Sequence, residues 1–384
     1  MSNLIPEILQ NQNLLKQWRH KLHHQPELSF EEHQTAQFVA QLLREFKCDE
    51  VYEGIGETGV VGILRNGEGP SIGLRADMDA LPIHEIGSHN YRSCHDGVMH
   101  ACGHDGHTIM LLGAAQYLAK TRNFKGTVVL IFQPGEELIK GASAMLNDDL
   151  LYRFPFESVY TLHSWPGASV NEMFVNEGPV MACVNNFDIT IKAGGGHAAM
   201  PHLSSDPILA GADMVLALQS LVSRRNDPQK ALVISCSVFH GGTVRNVIPN
   251  EVTIRGTARY IDNDIGHWLP RRMHDVVEGI ARAHSVTAKL DLIQQCPPTV
   301  NTPEESLLVK SVINELLGPI ETNKPVSMGS DDFCFYLEEV PGAYIYIGNG
   351  NESKSLHHPE YDFNDNALAV GASFYVRLVQ KNCS

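Results

Sequence analysis

The hydrophobic pattern of this chain changes near residue 183, and this change constrains the possible folds more than any other sequence feature. In the first part, short and uniformly apolar runs alternate with segments whose apolar residues recur at helical spacing. The runs lie at residues 60–64, 72–74, 127–132 and 159–162, and a helical segment covers residues 106–119. Uniformly apolar runs are typical of buried strands. Their alternation with helices predicts an open α/β sheet with helices on both faces.

A surface helix is also predicted near the start of the chain. Ser29 and Glu32 have the spacing of a capping box, in which two side chains bond the first backbone amides of a helix. Apolar residues then recur at helical spacing, at Phe38, Val39, Leu42, Leu43 and Phe46. The pattern predicts that the helix begins at this box.

After residue 183 the periodicity becomes that of exposed sheets. Apolar and polar residues alternate through Phe187, Ile189 and Ile191, and again over residues 252–260. A period of two is typical of strands that have one face in the core and the other in water. This part of the chain therefore predicts strands with one face in water, unlike the buried strands that precede it.

Two helices accompany these strands. Asp206 and Pro207 supply the cap and the first-turn proline of one helix, and a second helix is predicted over about residues 267–284. Single cores stop growing at about 250–300 residues, so a chain of 384 residues is expected to form two domains. We predict an inserted α+β domain of residues 183–295 within an α/β domain of residues 1–182 and 296–384.

The charge balance excludes several classes of partner. The chain has 29 Lys and Arg against 44 Asp and Glu, a formal net charge of −15, so its surface repels phosphate backbones and anionic lipids. Residues 1–20 lack the features of a signal peptide, and no apolar run is long enough to span a membrane. We therefore expect a cytoplasmic protein with neither nucleic acid nor a membrane as partner. The irregular positions of its 8 Cys predict metal binding or catalysis rather than a disulfide framework.

The densest cluster of chemically active side chains lies at residues 100–107, just before a predicted helix. Cys102 and His104 are two residues apart on a turn that Gly103 allows to be tight, so both side chains can reach one ion. Thiolate and imidazole together suit zinc, cobalt, nickel or manganese. A nucleophilic Cys–His pair remains an alternative. A structural zinc knuckle would need a second pair at similar spacing, which the sequence lacks.

Further candidate ligands follow other predicted strands. Glu136 and Glu137 end an apolar run, where one carboxylate could bind metal and the other could serve as a base, although paired glutamates are also common at helix starts. His163 ends the next run, and His357 and His358 lie near the C-terminus. Together the set supplies one thiolate, three imidazoles and a carboxylate. That is enough for two ions that share a bridging ligand.

Two other groups of residues give weaker evidence for a functional role. Asp77 and Asp79 follow a strand and could orient a ligand imidazole, or simply form a strand-end turn. His197, Arg245 and Asn246 lie in glycine-rich turns of the inserted domain. Such turns are either lid elements that reach toward a substrate or ordinary hairpin connections.

Taken together, these motifs resemble the aminoacylase and carboxypeptidase superfamily of two-metal peptidases, in particular the amidohydrolase branch with hippurate hydrolase and the indole-acetyl-amino-acid hydrolases. The resemblance covers essentially the whole chain. Six motifs carry it, in the family's order: residues 75–82, 99–107, 133–137, 162–166, 194–202 and 356–359. It implies a metallopeptidase catalytic domain with a mixed, mostly parallel sheet, plus an inserted lid and dimerisation domain.

The resemblance also implies roles for single residues. Two divalent ions per subunit (Mn, Zn, Co or Ni) are expected, with Glu136 as general base. The implied metal ligands are Cys102, which bridges the ions, His104, Glu137, His163 and His357. The wider superfamily usually has an Asp as the bridge and a His-x-Asp ligand motif. Cys102 and the pair Asp77 and Asp79 stand in those places here.

The implied reaction is metal-dependent hydrolysis of the amide bond of N-acyl-L-amino acids, which are small hippurate-like molecules. By the same resemblance the chain forms a homodimer, and His197 and Asn246 steady the substrate or the oxyanion over an active site of the same chain or of the partner. Three alternatives stay open at this point. They are a di- or carboxypeptidase of the same superfamily, a cysteine hydrolase that uses Cys102 and His104, and a catalytically silent binding protein.

Overall fold

The computed structural model describes residues 3–170, 172–319 and 326–383. The chain divides into two compact units. The large unit comprises Met1–Val180, Thr299–Pro325 and Asp331–Ser384, and the small unit comprises Met181–Pro298 and Val326–Ser330. Within the described ranges, no helix combines the length and the apolar character needed to cross a membrane.

The helices and strands follow one another along both units. The helices are α1 Pro6–Gln10, α2 Gln12–His24, α3 His33–Glu45, α4 His104–Thr121, α5 Gly141–Asn147, α6 Leu150–Arg153, α7 Pro207–Ser220, α8 Asn263–Ala283, α9 Pro303–Leu317, α10 Cys334–Glu339 and α11 Ala367–Asn382. The strands are β1 Glu50–Ile55, β2 Gly59–Asn66, β3 Ser71–Asp77, β4 Gly126–Gln133, β5 Ser158–Trp165, β6 Met173–Phe174, β7 Gly178–Met181, β8 Cys183–Lys192, β9 Gly196–His197, β10 Leu232–Gly241, β11 Val247–Ile248, β12 Glu251–Tyr260, β13 Thr287–Cys296, β14 Thr299–Asn301 and β15 Gly342–Gly348.

The large unit is built on a sheet with the strand order β1-β2-β4-β3-β5-β15-β6. The pairs β3–β4, β3–β5 and β5–β15 are parallel, whereas β2 and β6 run against their neighbours. Helices cover both faces, because a Cβ on Gly59 would meet Met145 of α5, and one on Gly62, three residues along the strand, would meet Leu43 of α3. The predicted fold class, a mixed and mostly parallel sheet with helices on both faces, is confirmed.

The direction of the central strands determines where polar side chains can gather. Strands β3, β4, β5 and β15 are parallel, so their carboxyl ends lie at one edge of the sheet. Helix α4 begins at His104 and is buried along most of its length, where it packs against β3, α2 and α11. In open α/β sheets, ligands bind at the carboxyl ends of the strands. The fold thus predicts a site at this edge.

The predicted capping box at Ser29 is wrong. Helix α3 begins after Glu32, and the carboxylate of Glu27 accepts hydrogen bonds from the first backbone amides, those of Gln34 and Thr35. Ser29 instead donates to Asp79 Oδ2 at 2.7 Å, while Glu32 is buried and accepts a hydrogen bond from the backbone amide of Gly135. The local spacing suited a cap, but buried polar groups pair with the tertiary partners that are nearest to them.

The small unit contains an antiparallel sheet with the strand order β10-β12-β8-β13, on which α7 and α8 pack. Its core contains Phe187, Ile189 and Ile191, which confirms the period of two. The predicted cap is also confirmed, because Asp206 Oδ1 accepts hydrogen bonds from the backbone amides of Ile208 and Leu209. Strand β10 is at one edge of this sheet.

Candidate metal centre

Cys102 and His104 begin the site at the N-terminus of α4. Gly103 between them adopts a left-handed conformation with φ of 93°, and a Cβ there would lie 2.7 Å from Tyr361 Oη. Only glycine fits this position, because both the backbone and the space exclude a side chain. The turn directs the Cys102 Sγ to within 3.5 Å of His163 Nε2, at the end of β5. Two predicted ligands from distant parts of the chain thus meet.

Glu136, Glu137 and His357 complete the group. His104 Nε2 lies 3.9 Å from both Glu136 Oε2 and Glu137 Oε1, and His357 Nε2 lies 3.5 Å from Glu137 Oε1. The donor atoms of Cys102, Glu137 and His357 all lie within 4.8 Å of one another. The structure therefore brings together all five residues predicted as ligands and the residue predicted as base. We call this group the metal centre.

Hydrogen bonds determine which imidazole nitrogens face the centre. His104 Nδ1 donates to Asp79 Oδ1 at 3.1 Å, and His163 Nδ1 donates to the carbonyl oxygen of Ser164 at 2.9 Å. Carboxylate and carbonyl oxygens only accept, so in both rings the proton is on Nδ1 and the Nε2 lone pair is available. His104 Nε2 and Glu137 Oε1 are buried and have no hydrogen-bond partner among the described residues. Buried atoms of this kind are what a metal ion would satisfy.

The charges at the metal centre also favour the binding of cations. Its surroundings hold one buried guanidinium, that of Arg75, against an excess of buried acidic side chains. Burial raises the pKa of Glu137 to about 7, and burial with the nearby Glu137 and Glu136 raises the pKa of the Cys102 thiol well above its usual value. Uncompensated buried anions are costly, and divalent cations offset that cost. The buried acidic residues are Asp77, Asp79, Glu136, Asp331 and Asp332, and Glu137 is partly buried beside them.

His107 and Asp77 lie beside the centre, but their ligand atoms are already engaged. His107 Nδ1 donates to Asp77 Oδ1 at 2.7 Å, and His107 Nε2 accepts from the backbone amide of Ser164 at 2.9 Å. The second oxygen of Asp77 accepts a hydrogen bond from Arg75 Nη1 at 2.7 Å. Because each of these atoms has a partner, we assign the pair to the supporting frame rather than to the ligand set.

The sequence reasoning missed the group formed by Arg75, Asp331 and Asp332. Arg75 Nη2 donates to Asp331 Oδ1 at 3.2 Å and to Asp332 Oδ1 at 3.0 Å, and the carboxylates of both lie near that of Glu136. All three residues are buried. The available signal was the pair of adjacent aspartates directly before the apolar Phe333, since charged residues rarely enter apolar surroundings unless they are paired.

His197 and Asn246 belong to the small unit. They lie side by side, because β9 pairs with β11 and the backbone amide of Ala198 donates to the carbonyl oxygen of Asn246 at 3.1 Å. The side chain of His197 is exposed, and its Nδ1 accepts a hydrogen bond from Ala199. Their action at an active site stays a prediction. Of the two C-terminal histidines, His358 accepts from the backbone amide of Glu360 through Nδ1.

Replacing Asp79 by alanine is expected to weaken metal binding about 10- to 100-fold, the usual effect of removing the partner of a ligand histidine. The change removes the acceptor that keeps the His104 proton on Nδ1. Metal-buffered titrations of the purified protein measure the dissociation constants. Asp79→Asn keeps an acceptor oxygen and should lose less affinity; equal affinity in Asp79→Ala and the unchanged protein would contradict the assignment.

An α/β sheet with thiolate, imidazole and carboxylate donors gathered at its carboxyl edge is typical of a metal-dependent hydrolase. Comparison with known proteins identifies the family. The profile of Peptidase family M20/M25/M40 matches residues 73–381, and the chain belongs to this family. The resemblance inferred from the sequence motifs is thereby confirmed, and the chain is a hydrolytic enzyme that acts on amides.

Individual relatives indicate which members of the family this chain resembles. Hippurate hydrolase of Campylobacter jejuni is 42% identical over 382 residues, which cover 99% of each chain. N-acetyl-L-cysteine deacetylase of Bacillus subtilis is 36% identical, over 95% of this chain and 88% of the relative. Among solved structures, a dinuclear metal-binding M20 peptidase of Bacillus subtilis has a TM-score of 0.85 at 31% identity, over 97% of this chain and 98% of its own.

Proposed function

We propose that this chain hydrolyses the amide bond of small N-acyl-L-amino acids and releases a carboxylic acid and an amino acid. The observation that carries the proposal is the convergence of the metal centre, in which one thiolate, three imidazoles and a glutamate meet beside a second, free glutamate. Hippurate and N-acetyl-L-cysteine, the molecules in the names of two relatives, are both N-acyl amino acids. The two molecules differ in the acyl group, so assays of this chain must compare substrates with different acyl groups.

The residues of the metal centre, Cys102 among them, would hold two divalent ions. The donor set favours Zn, Mn, Co or Ni over Mg or Ca, because it combines a thiolate with imidazoles. When bound, such ions polarise an amide carbonyl and lower the pKa of water. The remaining ligands are His104, Glu137, His163 and His357.

Glu136 would move the proton. Its carboxylate lies 3.9 Å from His104 Nε2 and is buried, and burial with the nearby Asp331 raises its pKa well above the usual value. Cations bound nearby would favour its ionised form, and an ionised carboxylate with a high proton affinity can accept the proton of the attacking water. Glu136 accepts that proton and then donates it to the nitrogen of the leaving amino acid. Both transfers use one side chain, so the reaction needs no second acid.

His197 and Asn246 are proposed to contact the substrate in an active site of the same chain or of the partner. His197 and Asn246 carry an imidazole and an amide that can steady an oxyanion or a carboxylate. A homodimer is part of the proposal, and it is supported by β10, an edge strand with Val233, Val238 and Phe239 exposed. Exposed apolar edge strands tend to pair with another chain. A cytoplasmic location is also proposed, on the sequence features alone.

A panel of substrates tests this function. The protein, loaded in turn with Mn, Co, Ni and Zn, is assayed on N-benzoyl, N-acetyl and indole-acetyl amino acids and on unblocked dipeptides, with the released amino acid quantified. We expect hydrolysis of at least one N-acyl amino acid and much slower cleavage of dipeptides. Preferential dipeptide cleavage would instead identify a di- or carboxypeptidase of the same family.

A further inference from the structure

A second group of ligand-type side chains lies in the large unit, apart from the residues assigned to the metal centre. It consists of His23 on α2 and of Glu85 and His89 on the segment that follows Asp79, and we call it the His23 cluster. His23 Nε2 lies 3.2 Å from Glu85 Oε1, and His89 Nε2 lies 2.7 Å from the same oxygen. All three donor atoms lie within 4.8 Å of one another.

The orientation of His23 is determined from its other side. Asp105 Oδ2 lies 2.8 Å from His23 Nδ1 and also accepts a hydrogen bond from Arg19 Nε at 2.9 Å. An ionised carboxylate only accepts, so the His23 proton is on Nδ1. The Nε2 atom therefore faces Glu85. A carboxylate behind one ring nitrogen is the usual partner of a metal-binding histidine. The other nitrogen, Nε2, is within hydrogen-bond distance of Glu85 Oε1, and a bound ion would take the place of that hydrogen bond.

The contact between His89 and Glu85 does not have hydrogen-bond geometry. Although the two atoms are only 2.7 Å apart, His89 Nε2 is buried and has no hydrogen-bond partner among the residues the structure describes. The rings of His23 and His89 have centroids 5.3 Å apart and are inclined at 66°. Ligands about 2.0–2.1 Å from a tetrahedral ion are separated by roughly 3.3 Å, close to the spacing of His23 and Glu85.

A neighbouring imidazole supplies a second, independent observation. His100 is fully buried, and in the described chain neither of its ring nitrogens has a hydrogen-bond partner. Its ring centroid lies 6.3 Å from that of His23. An imidazole with two unpaired buried nitrogens is costly unless water or an ion satisfies it. The cluster itself offers two imidazoles and one carboxylate, and the unsatisfied ring of His100 lies next to it.

The charges around the His23 cluster also favour a cation. Arg19 is a buried positive charge, but it is shared among the carboxylates of Asp105, Asp362 and Asp365. Glu85 accepts a hydrogen bond from the backbone amide of Ser93 through its other oxygen, and no Lys or Arg is paired with it among the described residues. Its buried negative charge is therefore balanced only by the two histidines or by an ion.

We propose that His23, Glu85 and His89 bind a third divalent ion of the zinc class, separate from the two ions of the metal centre. Two imidazoles and a carboxylate form a known zinc ligand set, with a fourth position left for water. The ion would join α2 to the segment that leads to Cys102 and His104, and so would hold the catalytic ligands in place without taking part in the chemistry. Its role is structural.

The rival explanation is a proton. If His23 carries a second proton, its imidazolium bridges Asp105 and Glu85 and no ion is needed. Metal content separates the two explanations, because an ion adds one equivalent and a proton adds none. His89→Gln removes one ligand of the cluster. His84→Gln is the matched control, since His84 is an exposed histidine of the same segment whose partner is Asp96.

The three proteins are equilibrated with buffered Zn²⁺, freed of excess metal by gel filtration and analysed by inductively coupled plasma mass spectrometry. We expect about three zinc ions per chain in the unchanged protein and in His84→Gln, and about two in His89→Gln. If the metal centre did not bind two ions, the zinc content of all three proteins would be lower. His89→Gln would still contain one ion fewer than the unchanged protein and His84→Gln. Equal counts in all three proteins would overturn the third site.

A measurement on the unchanged protein covers the case in which His89→Gln does not fold. Crystals grown with Zn²⁺ are used to collect anomalous diffraction at the zinc absorption edge. An anomalous peak between His23 Nε2, Glu85 Oε1 and His89 Nε2 is the expected result. Peaks at the metal centre with none at the His23 cluster would show that a proton holds this cluster together.

Discussion

Glu136→Gln is expected to lower kcat about 10³-fold while the metal content stays unchanged, because a side chain that transfers protons typically contributes 10²- to 10⁴-fold. The amide has nearly the same shape as the carboxylate but cannot accept the proton of water. Glu136 is buried beside His104, and its pKa is raised above the usual value by burial. The assay uses the best substrate of the N-acyl amino acid panel, with metal measured on the same samples.

Two further variants test whether the effect is specific to Glu136. Glu137→Gln changes the neighbouring carboxylate, whose Oε1 is buried without a hydrogen-bond partner in the described residues, and it should lose bound metal as well as kcat. Glu31→Gln makes the same chemical change at an exposed position and should leave both unchanged. A Glu136→Gln protein that kept its kcat within about tenfold would refute the role of Glu136 as the base.

Removal of the divalent ions is expected to reduce activity at least about 100-fold, with recovery on addition of Zn, Mn, Co or Ni, because such ions contribute several kcal/mol of transition-state stabilisation. The surroundings of Cys102 also predict that its thiol is a weak nucleophile in the absence of the ions. Burial, Glu137 and Glu136 raise the pKa of its thiol, so without cations the side chain stays protonated and is a poor nucleophile. Activity is measured after chelation, after dialysis and after each metal is restored.

The same experiment decides the cysteine-hydrolase alternative. A Cys–His hydrolase would keep its activity in chelator and lose it with a thiol-alkylating reagent. For the two-metal centre we expect the reverse, with alkylation of Cys102 blocked while the ions are bound, because a thiolate bound to metal is a weaker nucleophile. Circular dichroism before and after chelation verifies that the loss is not caused by unfolding. Full activity in metal-free, folded protein would end the two-metal proposal.

Several features could be predicted from residues close together in the sequence. The α/β class followed from apolar runs, the half-buried strands of the small unit from their period of two, and the cap of α7 from Asp206 and Pro207. These inferences about the fold succeeded because each depends on local backbone geometry or on the side-chain types themselves. The metal-binding character of Cys102 and His104 was inferred in the same way, from their spacing around Gly103, and stays a prediction.

Other features depended on contacts between distant segments. Ser29 and Glu32 have the spacing of a cap, yet they bond Asp79 and Gly135, which are far away in the sequence. The group of Arg75, Asp331 and Asp332 likewise joins two segments that only the fold brings together. No local pattern predicts such partners, because a buried polar group is satisfied by whichever donor or acceptor the packed chain places beside it.

By itself, the sequence determined the type of chemistry, since a thiolate, imidazoles and carboxylates in this order predict a metal-dependent hydrolase. Only the tertiary structure decided which atoms are free to act. From the sequence, His104 and His107 are equally good candidate ligands. In the structure both ring nitrogens of His107 form hydrogen bonds, whereas His104 Nε2 has no hydrogen-bond partner among the described residues. The physical reason is that a ring nitrogen binds a metal only if its lone pair is unused, and hydrogen bonds from remote residues determine that.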